Sequence, residues 1–206
     1  NGYMHLNFLP YSAYPSVQEY EAQMNDWLSV NAAAGYPQEY LMYDLYPYPD
    51  NNNKTMNRVG FFTNMEAVRK VGLANNIKTG NYLQTMRIEG SYRMPTASEV
   101  RYEAMCGMAY GFKQFSYFTW MQPDERHCEA FRDAIIGIDG KITNHALYNS
   151  IAALNDEIHN LGATLIKLDA HEVYLNGQLW GQKAISSEFF AQATDNKDFT
   201  ISYLRH

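Results

Sequence analysis

The chain lacks the sequence features that most directly indicate a function. Two cysteines, Cys106 and Cys128, among 206 residues exclude a disulfide framework and every multi-cysteine metal site. The glycine patterns of phosphate and dinucleotide binding are absent, as is the Gly-x-Ser-x-Gly elbow, which argues against nucleotide, nicotinamide and serine-hydrolase chemistry. The 6 histidines are scattered without metal-ligand spacing, so we expect neither a metal nor another cofactor.

Positive charge and long apolar runs are also scarce. With 16 basic against 22 acidic residues the net charge is −6, so a nucleic acid would bind against the mean field of the molecule and is not an expected partner. No apolar run approaches the roughly 18 residues of a membrane span, and we expect none.

Aromatic residues, by contrast, are abundant. The 17 tyrosines, 10 phenylalanines and 3 tryptophans exceed what a core of this size requires. Tyrosine offers an apolar face with a polar tip, which suits a sugar ring with its apolar C–H face and hydroxyl rim. Tyrosine-rich packing is the alternative explanation.

The first 160 residues repeat one theme four times, a short strand followed by a helix. The predicted strands are 3–9, 40–46, 81–88 and 114–120. Ser16 and Thr96 are the expected N-caps of the first and third helices, the second helix ends near Asn75-Asn76, and the fourth runs from about Asn144 to Leu161 with Gly162 following it. Parallel neighbours need such long crossovers, so the pattern predicts a parallel sheet of the α/β class.

After Gly162 the pattern changes to strands without helices. The expected strands are 165–168, 173–175, 178–180, 185–190 and 199–204, with Asn176-Gly177 as a hairpin turn. We therefore predict two domains: residues 1–164, an α/β unit that is either an open sheet or half of a closed barrel, and residues 165–206, the beginning of an all-β domain.

Polar residues at the ends of the predicted strands are the candidate site residues, because loops converge there in parallel sheets. Asp44 ends an apolar strand beside Tyr46, and there it is either functional or held by backbone N–H groups. Glu89 lies where a strand-end nucleophile is expected, or is a solvated acid pairing Arg87 or Arg93. Trp120 is either a sugar platform or a core anchor.

Three segments together resemble the second half of glycoside hydrolase TIM barrels of the β-galactosidase and cellulase type. They are Tyr43-Asp44-Leu45-Tyr46-Pro47, then Arg93-Met94-Pro95-Thr96 with Glu99, and then the run from Met108 to Trp120. The likeness covers roughly residues 1–165. It implies a partial (β/α)8 barrel of about four βα units, followed by the start of a β-sandwich.

The resemblance also implies roles for residues. Glu89 corresponds to the nucleophile, whereas Gln84 occupies a strand position where an acid is expected. The sugar subsite would include Asp44, Tyr46, Gln84, Arg93, Tyr117 and Trp120. The general acid/base glutamate of such enzymes ends strand four, which would precede Asn1. Bacterial secretion or a periplasmic location follows by resemblance only.

Hydrolysis of a glycoside normally requires two carboxyl groups, so we expect this chain by itself to be inactive. We predict that it is a piece of a larger β-glycosidase acting on oligo- or polysaccharides, or a homodimer that completes its sheet. The alternatives are a non-catalytic carbohydrate-binding or degenerate barrel, and a complete open-sheet domain with an interaction role.

Overall fold

A computed structural model describes residues 6–51, 55–124, 130–189, 192, 195 and 197–206. Its centre is a four-stranded parallel sheet in the order β1-β2-β3-β5. The strands are β1 (Asn7–Phe8), β2 (Tyr40–Asp44), β3 (Lys78–Gln84) and β5 (Gln114–Phe118). The predicted mixed α/β class with a parallel sheet is confirmed; the part of the first predicted strand before Leu6 lies outside the described residues.

Helices follow the strands as predicted: α1 (Val17–Ala33), α2 (Arg58–Asn75), α3 (Ala97–Ala109) and α4 (His145–Leu165). Ser16 accepts a hydrogen bond from the Glu19 N–H, and Thr96 forms a full capping box with Glu99. Asn76 ends α2 in the left-handed conformation, with φ at 53°.

The predicted end of α4 is wrong. The helix continues through Gly162 to Leu165, and residues 165–168 form no strand. The Lys113 ammonium donates to the carbonyl oxygens of Leu165 and Leu168, which satisfies carbonyls that a helix end leaves free. A tertiary contact thus replaces the local glycine cap.

The two faces of the sheet differ. Phe8, Leu41 and Tyr43 pack in a cluster with α1 and α2, and Leu83 packs in a second cluster with α3 and α4. Strands that follow the chain order with right-handed crossovers carry their helices on one side. We call the opposite side the open face; by register it carries Asn7, Tyr40, Met42, Asp44, Lys78, Gly80, Tyr82, Gln84, Gln114, Ser116 and Phe118.

The last part of the chain forms one antiparallel pair, β7 (Asp169–Asn176) with β8 (Phe199–Arg205). The expected strands 173–175 and 199–204 are confirmed within it. The Asn176-Gly177 hairpin is wrong, because β7 pairs with a strand that begins at Phe199. Residues 178–180 and the described part of 185–190 form no strand. Val173 and Leu175 join the cluster of α1 and α2, which seats the pair on the α/β unit.

A small ribbon lies beyond the sheet, formed by β4 (Arg87–Ile88) and antiparallel β6 (Phe131–Arg132). The sequence predicted one continuous strand over 81–88, whereas β3 ends at Gln84 and the chain then leaves the sheet. In the part of the chain that the structure describes, no helix has the length and apolarity needed to cross a bilayer.

Candidate functional site

A cleft of about 520 Å³ opens at the carboxyl edge of the parallel sheet. Asp44 and Phe118, which end β2 and β5, lie in its wall together with Ile88 and Phe131 of the ribbon. The described residues that line it are Leu9, Pro10, Ser12, Asp44, Leu45, Tyr46, Pro49, Asn57, Ile88, Tyr92, Phe118 and Phe131. This is the edge at which parallel α/β folds place their ligand sites.

Asp44 is the carboxylate of the cleft. Burial raises its pKa above the ordinary value, and side-chain hydrogen bonds from Tyr46 and Asn7 act in the opposite direction. The Oδ1 atom is buried and has no hydrogen-bond partner within the described structure. Burial and the neighbouring carboxyl also raise the pKa of the Tyr46 hydroxyl, which therefore stays a donor.

Aromatic rings form the rest of the cleft wall. Tyr46 stacks on Phe118 with ring centroids 5.4 Å apart, and it meets Tyr92 edge to face at 5.7 Å. Phe131 meets Phe118 edge to face at 5.7 Å. The wall therefore offers apolar ring surface beside one polar acid–phenol pair.

Gln84 does not line the cleft but supports its edge. Its amide donates to the carbonyl oxygens of Met86 and Arg93 at 3.1 and 2.7 Å, and the side chain is fully buried. Its backbone N–H donates to Oε2 of Glu103 at 3.1 Å. Glu103 on α3 is also fully buried, Oε1 has no partner within the described structure, and burial raises its pKa well above the ordinary value.

Arg93 holds the start of α3. Its guanidinium forms two hydrogen bonds with the Glu99 carboxylate, at 2.9 and 2.6 Å, and lies over the Tyr48 ring. These bonds with Arg93 lower the pKa of Glu99. Glu99 therefore completes the capping box of α3, and Arg93 holds the loop whose carbonyl oxygen at Arg93 accepts from the Gln84 amide.

Glu89 lies directly after β4, at the end of the ribbon, and is not among the residues that line the cleft. Its side chain is 48% exposed and lies 3.8 Å from the Arg87 guanidinium and 3.6 Å from that of Arg132. Of the two arginines that the sequence offered as partners, Arg87 is close; Arg93 is engaged with Glu99.

Tyr117 and Trp120 lie together on the α4 side of the molecule. Tyr117 donates its hydroxyl to Oδ1 of Asn155, and burial raises its pKa to about 12. Trp120 is 39% exposed and contacts the rings of Tyr117 and Tyr148 at centroid distances of 5.9 and 6.0 Å. Neither residue is among the described residues that line the cleft with Asp44 and Tyr46.

Sequence reasoning missed several cleft residues, Tyr92 and Phe131 above all. Tyr92 follows a turn at Gly90, where φ is 75°. The glycine in the sequence indicates such a turn, but no neighbouring residue predicts that the Tyr92 ring contacts Tyr46. Among the described residues no group of three His, Cys, Asp or Glu side chains is placed to hold a metal. Cys106 is buried, and burial raises its pKa to about 11.

Comparisons with known proteins give little. No protein-family model matches the chain, and no curated protein matches it. The crystal structure of a β-galactosidase from the psychrophilic Marinomonas ef1 is similar, with a TM-score of 0.49 at 14% identity over 81% of this chain and 26% of that one. The chain thus spans about a quarter of that structure.

Proposed function

We propose that this chain is part of a carbohydrate-active α/β-barrel protein that hydrolyses β-glycosides when whole. The observation that carries the proposal is the cleft, where the Asp44–Tyr46 pair lies among aromatic rings at the carboxyl edge of the sheet. A sugar presents apolar ring faces and hydroxyl rims, and this wall offers a partner for each.

The order of the strands supports the barrel. Doubly wound sheets reverse their strand order and carry helices on both faces, whereas β1, β2, β3 and β5 are in chain order. Parallel sheets are normally covered on both faces, so the open face requires a covering element. We propose that further βα units, or a second copy of the chain, close it into a (β/α)8 barrel. The division near residue 165 and a β-sandwich beginning with β7 and β8 belong to the same proposal.

Hydrolysis needs a second carboxyl group besides the first. Glu89 is our proposed nucleophile, since it follows Ile88 on the ribbon that walls the cleft. The guanidinium groups of Arg87 and Arg132 lie 3.8 and 3.6 Å from its carboxylate and would hold it in position. The proton donor would come from the elements that complete the barrel, and the 206-residue chain alone would be inactive.

The other predicted subsite residues take different roles in this proposal. Asp44 and Tyr46 contact the sugar, while Gln84 and Arg93 hold the edge on which they stand. Tyr117 and Trp120 are not among the residues that line the cleft, and they would serve an outer subsite.

A non-catalytic carbohydrate-binding barrel is the second candidate. It is favoured by the amide at Gln84, which ends β3 where an acid is expected, and by the cleft lining, in which Asp44 is the one carboxylate among the described residues.

Hydrolysis of aryl β-glycosides by the product of the whole gene separates these functions. We expect the parent to be active, Glu89→Gln to reduce kcat/KM by about a thousandfold or more, and Glu157→Gln, an exposed control paired with Arg101, to match the parent. Full activity of Glu89→Gln would remove Glu89 from the mechanism. An inactive parent that still binds sugar would establish the binding protein instead.

A further inference from the structure

A second pocket, of about 130 Å³, lies on the helix side of the sheet between α2, α3 and the β7–β8 pair. Phe62 and Leu175 are its buried apolar residues. Arg58 at the start of α2 and Asp198 just before β8 line it as well. Further βα units would join the sheet at its free edges, β1 and β5, so this pocket would stay outside a completed barrel.

The guanidinium of Arg58 is held in place by aromatic groups. Its Nη1 donates to the Tyr102 hydroxyl at 3.0 Å, and its central carbon lies 5.4 Å from the ring centroids of both Tyr102 and Trp180. No carboxylate among the described residues forms an ion pair with it. Most of its N–H groups are therefore available to an acceptor that enters the pocket.

The backbone of Trp180 shows that this arrangement is constrained. Its φ is 48°, in the left-handed region that a large side chain rarely adopts. Such a conformation persists only where the surrounding contacts hold it, and here the ring packs against the cluster of α1 and α2 and against Arg58. Arg58 is thus a fixed cation and not a mobile surface side chain.

The pocket also contains a fixed negative charge. Oδ1 of Asp198 accepts a hydrogen bond from the backbone N–H of Gln178 at 2.8 Å, and within the described structure Asp198 forms no ion pair with Arg58. A ligand with a single charge would be attracted to one of these groups and repelled by the other. A zwitterion satisfies both, with its carboxylate on the guanidinium and its ammonium on the carboxylate.

The volume of the pocket sets the size of the ligand. An apolar cavity of about 150 Å³ holds one benzene ring, so 130 Å³ accommodates about six non-hydrogen atoms. Alanine has that size, whereas a hexose is about twice as large. We propose that this pocket binds a small free α-amino acid, such as glycine, alanine or serine, with its carboxylate on Arg58 and its ammonium on Asp198. The site shares no lining residue with the cleft and does not depend on the proposed function.

Calorimetric titration of the product of the whole gene with L-alanine tests the site. We expect a Kd of about 1 mM or lower, which a ligand of so few atoms can reach. N-acetylalanine, which lacks the ammonium, and alaninamide, which lacks the carboxylate, should each bind at least about tenfold more weakly. No binding of alanine by the parent, or equal affinity for alanine and N-acetylalanine, would overturn the inference.

Two variants locate the binding. Arg58→Gln and Asp198→Asn should each raise the alanine Kd by about tenfold or more, and Asp198→Asn should also abolish the preference for alanine over N-acetylalanine. Asp198 is exposed, so its replacement leaves the fold intact. Arg101→Gln on α3 and Asp156→Asn on α4 remove the same charges at other exposed positions and should bind like the parent. Alanine binding that survives both pocket substitutions would reject the site.

Discussion

The two faces of the parallel sheet use the same strands for opposite purposes. Phe8, Tyr43 and Leu83 on the helix side are buried in the two main clusters, whereas Asp44, Tyr82 and Ser116 on the open face are partly exposed. Alternation along a strand assigns successive residues to opposite sides, so each strand contributes to both. Alternate residues of the same strand therefore serve different purposes: those facing the helices stabilise the fold, and those facing the other side are available for chemistry.

The largest expected effect comes from the helix side. Leu83→Ala opens a cavity beneath α3 and α4 and should reduce the free energy of unfolding by about 2–5 kcal/mol. The control on the open face is Ser116→Ala, at the residue that pairs with Tyr82 next to Leu83. It should change the free energy of unfolding by less than about 0.5 kcal/mol. Urea unfolding of both variants measures the difference. Similar losses in the two would mean that the open face is packed as tightly as the other.

Glu103→Gln should produce the next largest effect, and it depends on pH. The raised pKa means that folded Glu103 keeps its proton while the unfolded chain releases it above about pH 4.5. Stability of the parent therefore falls as pH rises from there. The fully buried amide variant escapes this fall, and its side-chain carbonyl oxygen can replace Oε2 of Glu103 as the acceptor of the Gln84 N–H.

Thermal melts of parent and Glu103→Gln between about pH 4 and 8 check this expectation. The melting temperature of the variant should rise relative to that of the parent as pH increases. Parallel melting profiles would show that Glu103 ionises in the folded protein at its ordinary pKa.

The helix side was also the easier face to predict from the sequence. Apolar spacing and the capping residues Ser16 and Thr96 predicted the starts of α1 and α3 correctly, because those signals act within a few residues. The end of α4 could not be predicted in this way, since Lys113, more than fifty residues away, satisfies its last carbonyls. Leu179 and Ile185 resemble strand residues but lie in irregular chain.

The cleft was predictable only in part. Asp44 and Tyr46 stand out as polar residues ending an apolar strand, and the structure brings them together with Phe118. Phe131 lies on a two-residue strand with no periodicity to read, and the Arg132 partner of Glu89 comes from the same ribbon.

Asp44→Asn on the open face should change the pH dependence of stability in the same direction as Glu103→Gln, but by less. Asp44 is only partly buried, and hydrogen bonds from Tyr46 and Asn7 offset the burial that raises its pKa. Ionisation therefore costs the folded parent stability as pH rises above about 4, and the variant should melt a few degrees higher at neutral pH. A variant that melts at a lower temperature than the parent would show that the hydrogen bonds to the Asp44 carboxylate stabilise it by more than its burial costs.

Glu89→Gln should have the smallest effect on stability, which is what makes it useful. The carboxylate is nearly half exposed, and its arginine neighbours lie at 3.6 and 3.8 Å, so solvent weakens both ion pairs and the loss should be below about 0.5 kcal/mol. Urea unfolding should be indistinguishable from that of the parent at neutral pH. A loss of glycoside hydrolysis in the whole protein could then be assigned to chemistry, whereas a drop above about 1 kcal/mol would show that Glu89 is a structural member of the ribbon.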